Sequence, residues 1–253
     1  VIEEDYTMKK LFPVLALCLT AAAHAGPSIN VGTVYDYLDG DKSTYLKRVF
    51  NSGDTTAFVR VNLYEITFDA DGKTTETSLE NVSDDTTKRA GLIASPARLI
   101  VPPKGMQATR LLYRGERDIE RYYRLRFVPV MPEKEDQFDV SDTERDSYKA
   151  SMSAGVKFLA GYGTVFFVRP TQSRFDTQLH NAPDAYRVEN RGNSTIELDE
   201  FTDCAAKKPK ECLPAQKHHV RPGKNYQFSK VPGRVYAFKL IESGTSKMIE
   251  VGK

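Results

Sequence analysis

The chain has no tryptophan, only four histidines and three cysteines, and a formal net charge of +2 from 36 basic and 34 acidic residues. So small a net charge excludes a strong field drawing it to nucleic acid or to membrane phosphates. After residue 25 no apolar run is long enough to cross a bilayer as a helix, so membrane insertion is not expected. Catalytic signatures are missing as well: there is no GxSxG, HExxH, P-loop or dinucleotide fingerprint. An enzyme needs convergent ionisable groups. The sequence offers few, so neither catalysis nor a cofactor is expected. His180 stands alone, and His218 and His219 are neighbours whose side chains would leave a strand on opposite faces. No metal site is expected from them. Asp69-Ala70-Asp71-Gly72 matches a calcium loop only in part and reads as a hairpin turn.

What is present begins with a targeting segment. Lys9-Lys10 form a basic region, residues 11–20 are apolar, and Ala23-His24-Ala25 is a small-residue cleavage site. Residues 1–25 are therefore predicted to be a signal segment, with Met8 the natural initiator and cleavage after Ala25. Export leaves Cys204 and Cys212, and two cysteines in an oxidising compartment read as a disulfide. Closing so short a loop contributes about 2.5 kcal/mol in the chain-entropy account.

Sixteen glycines and 13 prolines punctuate short β-branched and aromatic runs, the composition of an all-β protein. Strands are predicted over 29–38, 45–50, 57–68, 92–101, 109–114 and 122–130, with the Pro102-Pro103-Lys104-Gly105 turn making a meander. About seven strands before Pro170 suit an immunoglobulin-like sandwich over 26–169. Further runs at 186–190, 195–201, 226–228, 235–241 and 248–251 predict a smaller sandwich over 170–253, with Arg191-Gly192-Asn193-Ser194 as a hairpin turn. Within the first, residues 132–149 are heavily charged and read as loosely tethered.

One stretch stands apart. From residue 150, Met152, Ala154, Val156, Phe158 and Ala160 fall on one face of an extended chain, while Ser153, Gly155 and Lys157 occupy the other. Period two with one apolar face means a strand with a partner against that face. From Val165 to Val168 both faces are apolar, as in a buried strand. One strand thus leaves a buried sheet and carries an apolar row beyond it, a row suited to being lent to another protein.

The order of these features resembles one family. Ile29-Asn30-Val31-Gly32, Leu99-Ile100-Val101-Pro102-Pro103, Arg121-Tyr122-Tyr123-Arg124 and Gly163-Thr164-Val165 carry the likeness, and Cys204, Cys212 and Arg221-Pro222-Gly223-Lys224 extend it. The chain is similar to periplasmic pilus-assembly chaperones of the chaperone–usher pathway, in the alternative branch serving common-pilus (Mat-type) fimbriae. The resemblance implies two immunoglobulin-like β-sandwich domains in an L-shaped arrangement. It also implies a periplasmic protein that lends Met152, Ala154, Val156, Phe158 and Ala160 to a fimbrial (pilin) subunit, prevents premature polymerisation and delivers the subunit to an outer-membrane usher. Such chaperones hold the subunit's C-terminal carboxylate with basic residues. Here the first strand has no arginine, and the substitutes expected are Arg124, with Lys47 or Arg48 as helper. A free apolar strand also invites a self-capped homodimer. The alternative is a two-domain immunoglobulin-like structural or adhesive surface protein.

Overall fold

The computed structural model describes residues 26–79, 91–153 and 159–252, which form two β-sandwiches in succession. The first contains β1 (Ile29–Asn30), β2 (Tyr35–Leu38), β3 (Thr44–Asn51), β4 (Ala57–Phe68), β5 (Thr74–Ser78), β6 (Gly91–Ser95), β7 (Arg98–Val101), β8 (Met106–Arg114), β9 (Arg121–Val130) and β10 (Tyr162–Val168). Strands β1, β3, β8 and β6 form one sheet in that order. The facing sheet runs β2, β10, β9, β4, β5, with β7 also on β4. Alternation turns Val49, Val59, Leu125, Phe127 and Phe166 inward to close the core. Burying each of these contributes about 1.5–3 kcal/mol.

The stretch 29–38, expected as one strand, is two. Gly32 takes φ +68°, a conformation glycine adopts at no steric cost, and there the chain changes sheets. β1 pairs antiparallel with β3, whereas β2 runs parallel to β10. The Pro102-Pro103-Lys104-Gly105 turn does not close a meander either. β7 pairs with β4 and β8 with β3 and β6, so this turn also carries the chain across the sandwich.

The second sandwich contains β11 (Thr177–Asn181), β12 (Ala185–Asn190), β13 (Ile196–Ala205), β14 (Lys208–Cys212), β15 (Gln216–Val220), β16 (Asn225–Ser229), β17 (Arg234–Glu242) and β18 (Thr245–Val251). A three-stranded sheet (β11, β12, β16) packs on a sheet of β14, β13, β17 and β18, with β15 also on β13. Val188, Ile196, Leu198 and Phe238 sit at its centre. The Cys204–Cys212 disulfide staples β13 to β14. Residues 191–194 are a corner between the two sheets rather than a hairpin. The Asn190 amide holds that corner, donating to the carbonyls of Ser194 at 2.9 Å and Val220 at 2.8 Å.

The charged segment before β10 is folded, contrary to the loose tether expected. A 3-10 turn at Lys134–Asp136 leads into α1 (Asp142–Ser153). Ser141 and Glu144 form a capping box: the Ser141 hydroxyl accepts from the Glu144 N–H at 3.2 Å, and the Glu144 carboxylate accepts from the Ser141 N–H at 2.9 Å. Tyr148 of α1 and Phe138 before it set their rings edge-on to Phe58 of β4, with centroids 4.8 and 5.2 Å away. Met152 therefore lies in a helix, buried, and not on the strand its alternation predicts. The strand expected from residue 150 starts at Tyr162. Ala160 is exposed ahead of it, and Ala154, Val156 and Phe158 fall outside the described residues. The helix that overrides the period-two pattern at Met152 docks through Tyr148 on Phe58, a residue the local pattern does not contain.

The two sandwiches meet at polar and aromatic contacts. Buried Glu120 accepts from the Thr195 N–H at 2.9 Å, from the Thr195 hydroxyl, and from the Tyr122 hydroxyl at 2.9 Å. Burial pushes its carboxyl above the usual range, opposed by those hydrogen bonds. Arg169 donates to Asp39 at 2.8 Å and to Ser243 at 3.0 Å, with its guanidinium over Tyr37. His219 packs against the tilted ring of Tyr35 and stacks on Phe167, with centroids 4.1 and 5.4 Å away.

Candidate functional site

The outer face of the β2–β10–β9–β4–β5 sheet is where the sequence features converge. Alternation that sends Tyr123, Leu125 and Phe127 inward sends Tyr122, Arg124 and Arg126 outward from β9. The cross-strand register lays these in rows. Ile66, Tyr122, Phe167 and Tyr37 form the row beside the second sandwich; Tyr64, Arg124, Val165 and Tyr35 form the next; Asn62, Arg126 and Gly163 follow. At the far end Phe58 faces Val130 and is covered by Phe138 and Tyr148.

The sheet is incompletely paired at β10. β2 pairs with it only over Val165–Val168, and the Val165 N–H donates to the Val34 carbonyl at 2.8 Å. Upstream, Tyr162, Gly163 and Thr164 pair with β9 alone among the described residues, so one edge is open. Val34 and Tyr35, both substantially exposed, flank that opening. An open edge beside apolar side chains is a template for an added strand.

The three cations expected to act together are not brought together. Arg124 lies on the outer face, its Cδ 3.6 Å from where a Cβ on Gly163 would stand, so it reaches across toward the open edge. Its Nε donates to Glu76 at 3.0 Å, and Arg126 donates to the other Glu76 oxygen at 2.7 Å. Lys47 points the opposite way, into the sandwich with Val49. Its ammonium is 3 % exposed and donates to Asp36 and to the Thr33 carbonyl, each at 2.6 Å. Asp36 also accepts from the hydroxyls of Thr33 and Tyr45 at 2.6 and 2.7 Å. Lys47 is thus committed to an internal ion pair. Arg48 is exposed on the other sheet, opposite Ala108.

Several residues of this region escape a reading from sequence. Glu76 falls in a polar stretch that offers no local hint of its two arginine partners. His219 looks like half of a surface pair but is an aromatic contact of the joint, its imidazole held down to about 4 chiefly by burial, with the Glu197 carboxylate opposing. Arg221 stacks over Phe68, 3.3 Å from the ring centroid. Among the described residues no cluster of three metal-ligating side chains occurs, and no helix is long and apolar enough to cross a membrane.

No family model matches the sequence. Over 226 residues, 88 % of this chain and 90 % of the relative, it is 30 % identical to the probable fimbrial chaperone EcpB of Escherichia coli O157:H7. The chain belongs to the fimbrial chaperone family. Solved structures agree on the fold of this chaperone. The class 5 fimbriae chaperone CfaA superposes with a TM-score of 0.53 at 16 % identity, covering 89 % of this chain and all of that one. The E. coli chaperone DraB gives 0.52 at 16 % identity, covering 90 % and 97 %. For the chaperone, the open β10 edge becomes the feature of first interest, because the alternating segment 152–160 leads into it.

Proposed function

We propose that this chaperone acts in the periplasm, where it holds fimbrial subunits by lending them the segment 152–160 as an added β-strand and passes them to an outer-membrane usher. The observation that carries the reading is the edge of Tyr162–Thr164, unpaired on one side among the described residues, which the alternating segment precedes in the sequence. Extended, that segment continues β10, offers main-chain groups to the subunit, and sets Met152, Ala154, Val156, Phe158 and Ala160 into successive pockets. No nucleotide is required, because burial of those side chains supplies the drive at about 1.5–3 kcal/mol for each large one, before ordering costs.

Arg124 is the residue assigned to the subunit's terminal carboxylate. It stands beside Val165 and Gly163 at the open edge, and its partner Glu76 is shared with Arg126. A carboxylate arriving there takes over one of two guanidinium groups, leaving Glu76 still paired. A charge-assisted bond of this kind contributes about 1.5–3 kcal/mol, so Arg124→Ala is expected to weaken subunit binding about 10- to 100-fold. The test is titration of the variant against a subunit with a free C-terminal carboxylate and the same subunit lengthened by two residues. The lengthened subunit should bind wild type and variant alike. Equal loss with both subunits would remove Arg124 from the anchor role.

A further inference from the structure

We propose that α1 is a latch: it keeps the first residues of the lending segment coiled on the sheet until a subunit draws them out as strand. The inference rests on the strand-donation reading above. Met152 is where two structures compete. It opens the apolar row of the lending segment, yet here it is 8 % exposed inside a helix. Residue 152 cannot be helical and extended at once, so a strand that reaches it requires the last turn of α1 to unwind.

The helix is built unevenly in a way that favours unwinding from that end. Its start has the Ser141–Glu144 capping box, and Asp142 and Glu144 in the first turn suit the positive end of the helix dipole. Its end has no basic residue to meet the exposed carbonyls. Instead the Ser151 and Ser153 hydroxyls bond back to the carbonyls of Tyr148 and Lys149, at 2.7 and 2.8 Å, an arrangement that weakens a helix.

The base of the segment is tied down independently of the last turn. Arg60 of β4 pairs with Asp136 at 3.1 Å, Arg98 of β7 donates to the Asp136 carbonyl, and Lys149 reaches Glu133 at 2.6 Å. Docking above that base is imperfect. The Tyr148 hydroxyl and Arg145 Nε are buried without a hydrogen-bond partner among the described residues, and burial pushes the Tyr148 phenol up to about 12. Unsatisfied buried groups penalise the docked state, so the aromatic contact with Phe58 holds the latch closed against an opposing cost. In the free protein α1 is populated; a subunit that binds only the extended form shifts the balance.

The test uses the mature chaperone and the major subunit of the same fimbrial gene cluster, diluted from denaturant into excess chaperone, with complex formation followed over time on native gels. Lys149 is half-buried and Ser153 exposed, one helical turn apart with Met152 between them. Lys149→Cys with Ser153→Cys, bridged by a short bis-thiol reagent, staples the last turn; the unbridged double variant is the control. The bridged form should capture subunit at least about tenfold more slowly than the unbridged form, and Tyr148→Ser should capture about three- to tenfold faster than wild type. Equal rates for bridged and unbridged forms would overturn the latch. Failure of the unbridged and wild-type proteins alike to bind subunit would instead overturn the strand-donation reading, and the latch with it.

Discussion

Asp36→Ala is expected to destabilise the first sandwich by about 3–5 kcal/mol, the cost of leaving a buried charge without its partner. Asp36 and Lys47 are each 3 % exposed at the side chain and meet at 2.6 Å. With Asp36 gone, the ammonium keeps only the Thr33 carbonyl as acceptor among the described residues. A loss of that size lowers Tm by on the order of 10 °C, readable by calorimetry. Asp36→Val combined with Lys47→Met should recover most of it, because the penalty belongs to the orphaned charge and not to the absence of a salt bridge. A cost under about 1 kcal/mol for the single variant would mean that the Lys47 ammonium reaches water. The pair matters for function because Asp36 lies on β2 and Lys47 on β3, in facing sheets. Their bond pins β2, whose end sets where the open edge of β10 begins.

The second large effect is a pH dependence at the joint. The His219 imidazole titrates at about 4 in the folded protein, against 6.5 for the free side chain, because burial disfavours its charged form. A folded value below the unfolded one means that the unfolded chain binds more protons between those limits. Stability is therefore lost as pH falls from about 6.5 toward 4, and stays whole above that window. The shift corresponds to about 3 kcal/mol lost across the window. The ring bridges the sandwiches, packing against Tyr35 and stacking on Phe167. Urea unfolding at pH 7 and pH 4 should show this loss in wild type and a smaller loss in His219→Gln. Identical losses in the two proteins would assign the acid sensitivity to other groups, such as the carboxylates paired in this region.

Much of the strand content is legible in the sequence because it depends on local chemistry. Alternation over 45–50, 57–68 and 122–130 and the turn residues between them mark β3, β4 and β9. Sheet membership is not legible in this way. Pro102-Pro103 marks a turn whether the next strand pairs beside the last or across the sandwich, and the outcome is decided by partners such as Val59 for Leu99. Asn190 has the same ambiguity: its amide selects a corner by reaching Val220, 30 residues away. Helix α1 was hidden for a related reason. Residues 142–153 have the low hydropathy of a loose segment, and their anchor, Phe58, lies on a strand far back in the chain. Lys47 illustrates the limit for the site itself. A lysine on an alternating strand reads as a surface cation until its buried partner Asp36 is seen. Arg124 is expected from its sequence context as an anchor on a strand, while its closeness to the open edge follows from pairing with Val165.

The central claim is that residues 152–160 are the strand this chaperone lends. The direct measurement is co-purification from the periplasm with its co-expressed fimbrial subunit, comparing wild type with Phe158→Asp. A charge on the apolar face should abolish recovery of the complex while the variant keeps the wild-type circular dichroism and unfolding midpoint. Equal recovery of subunit by both proteins would contradict the account and move subunit binding to another surface.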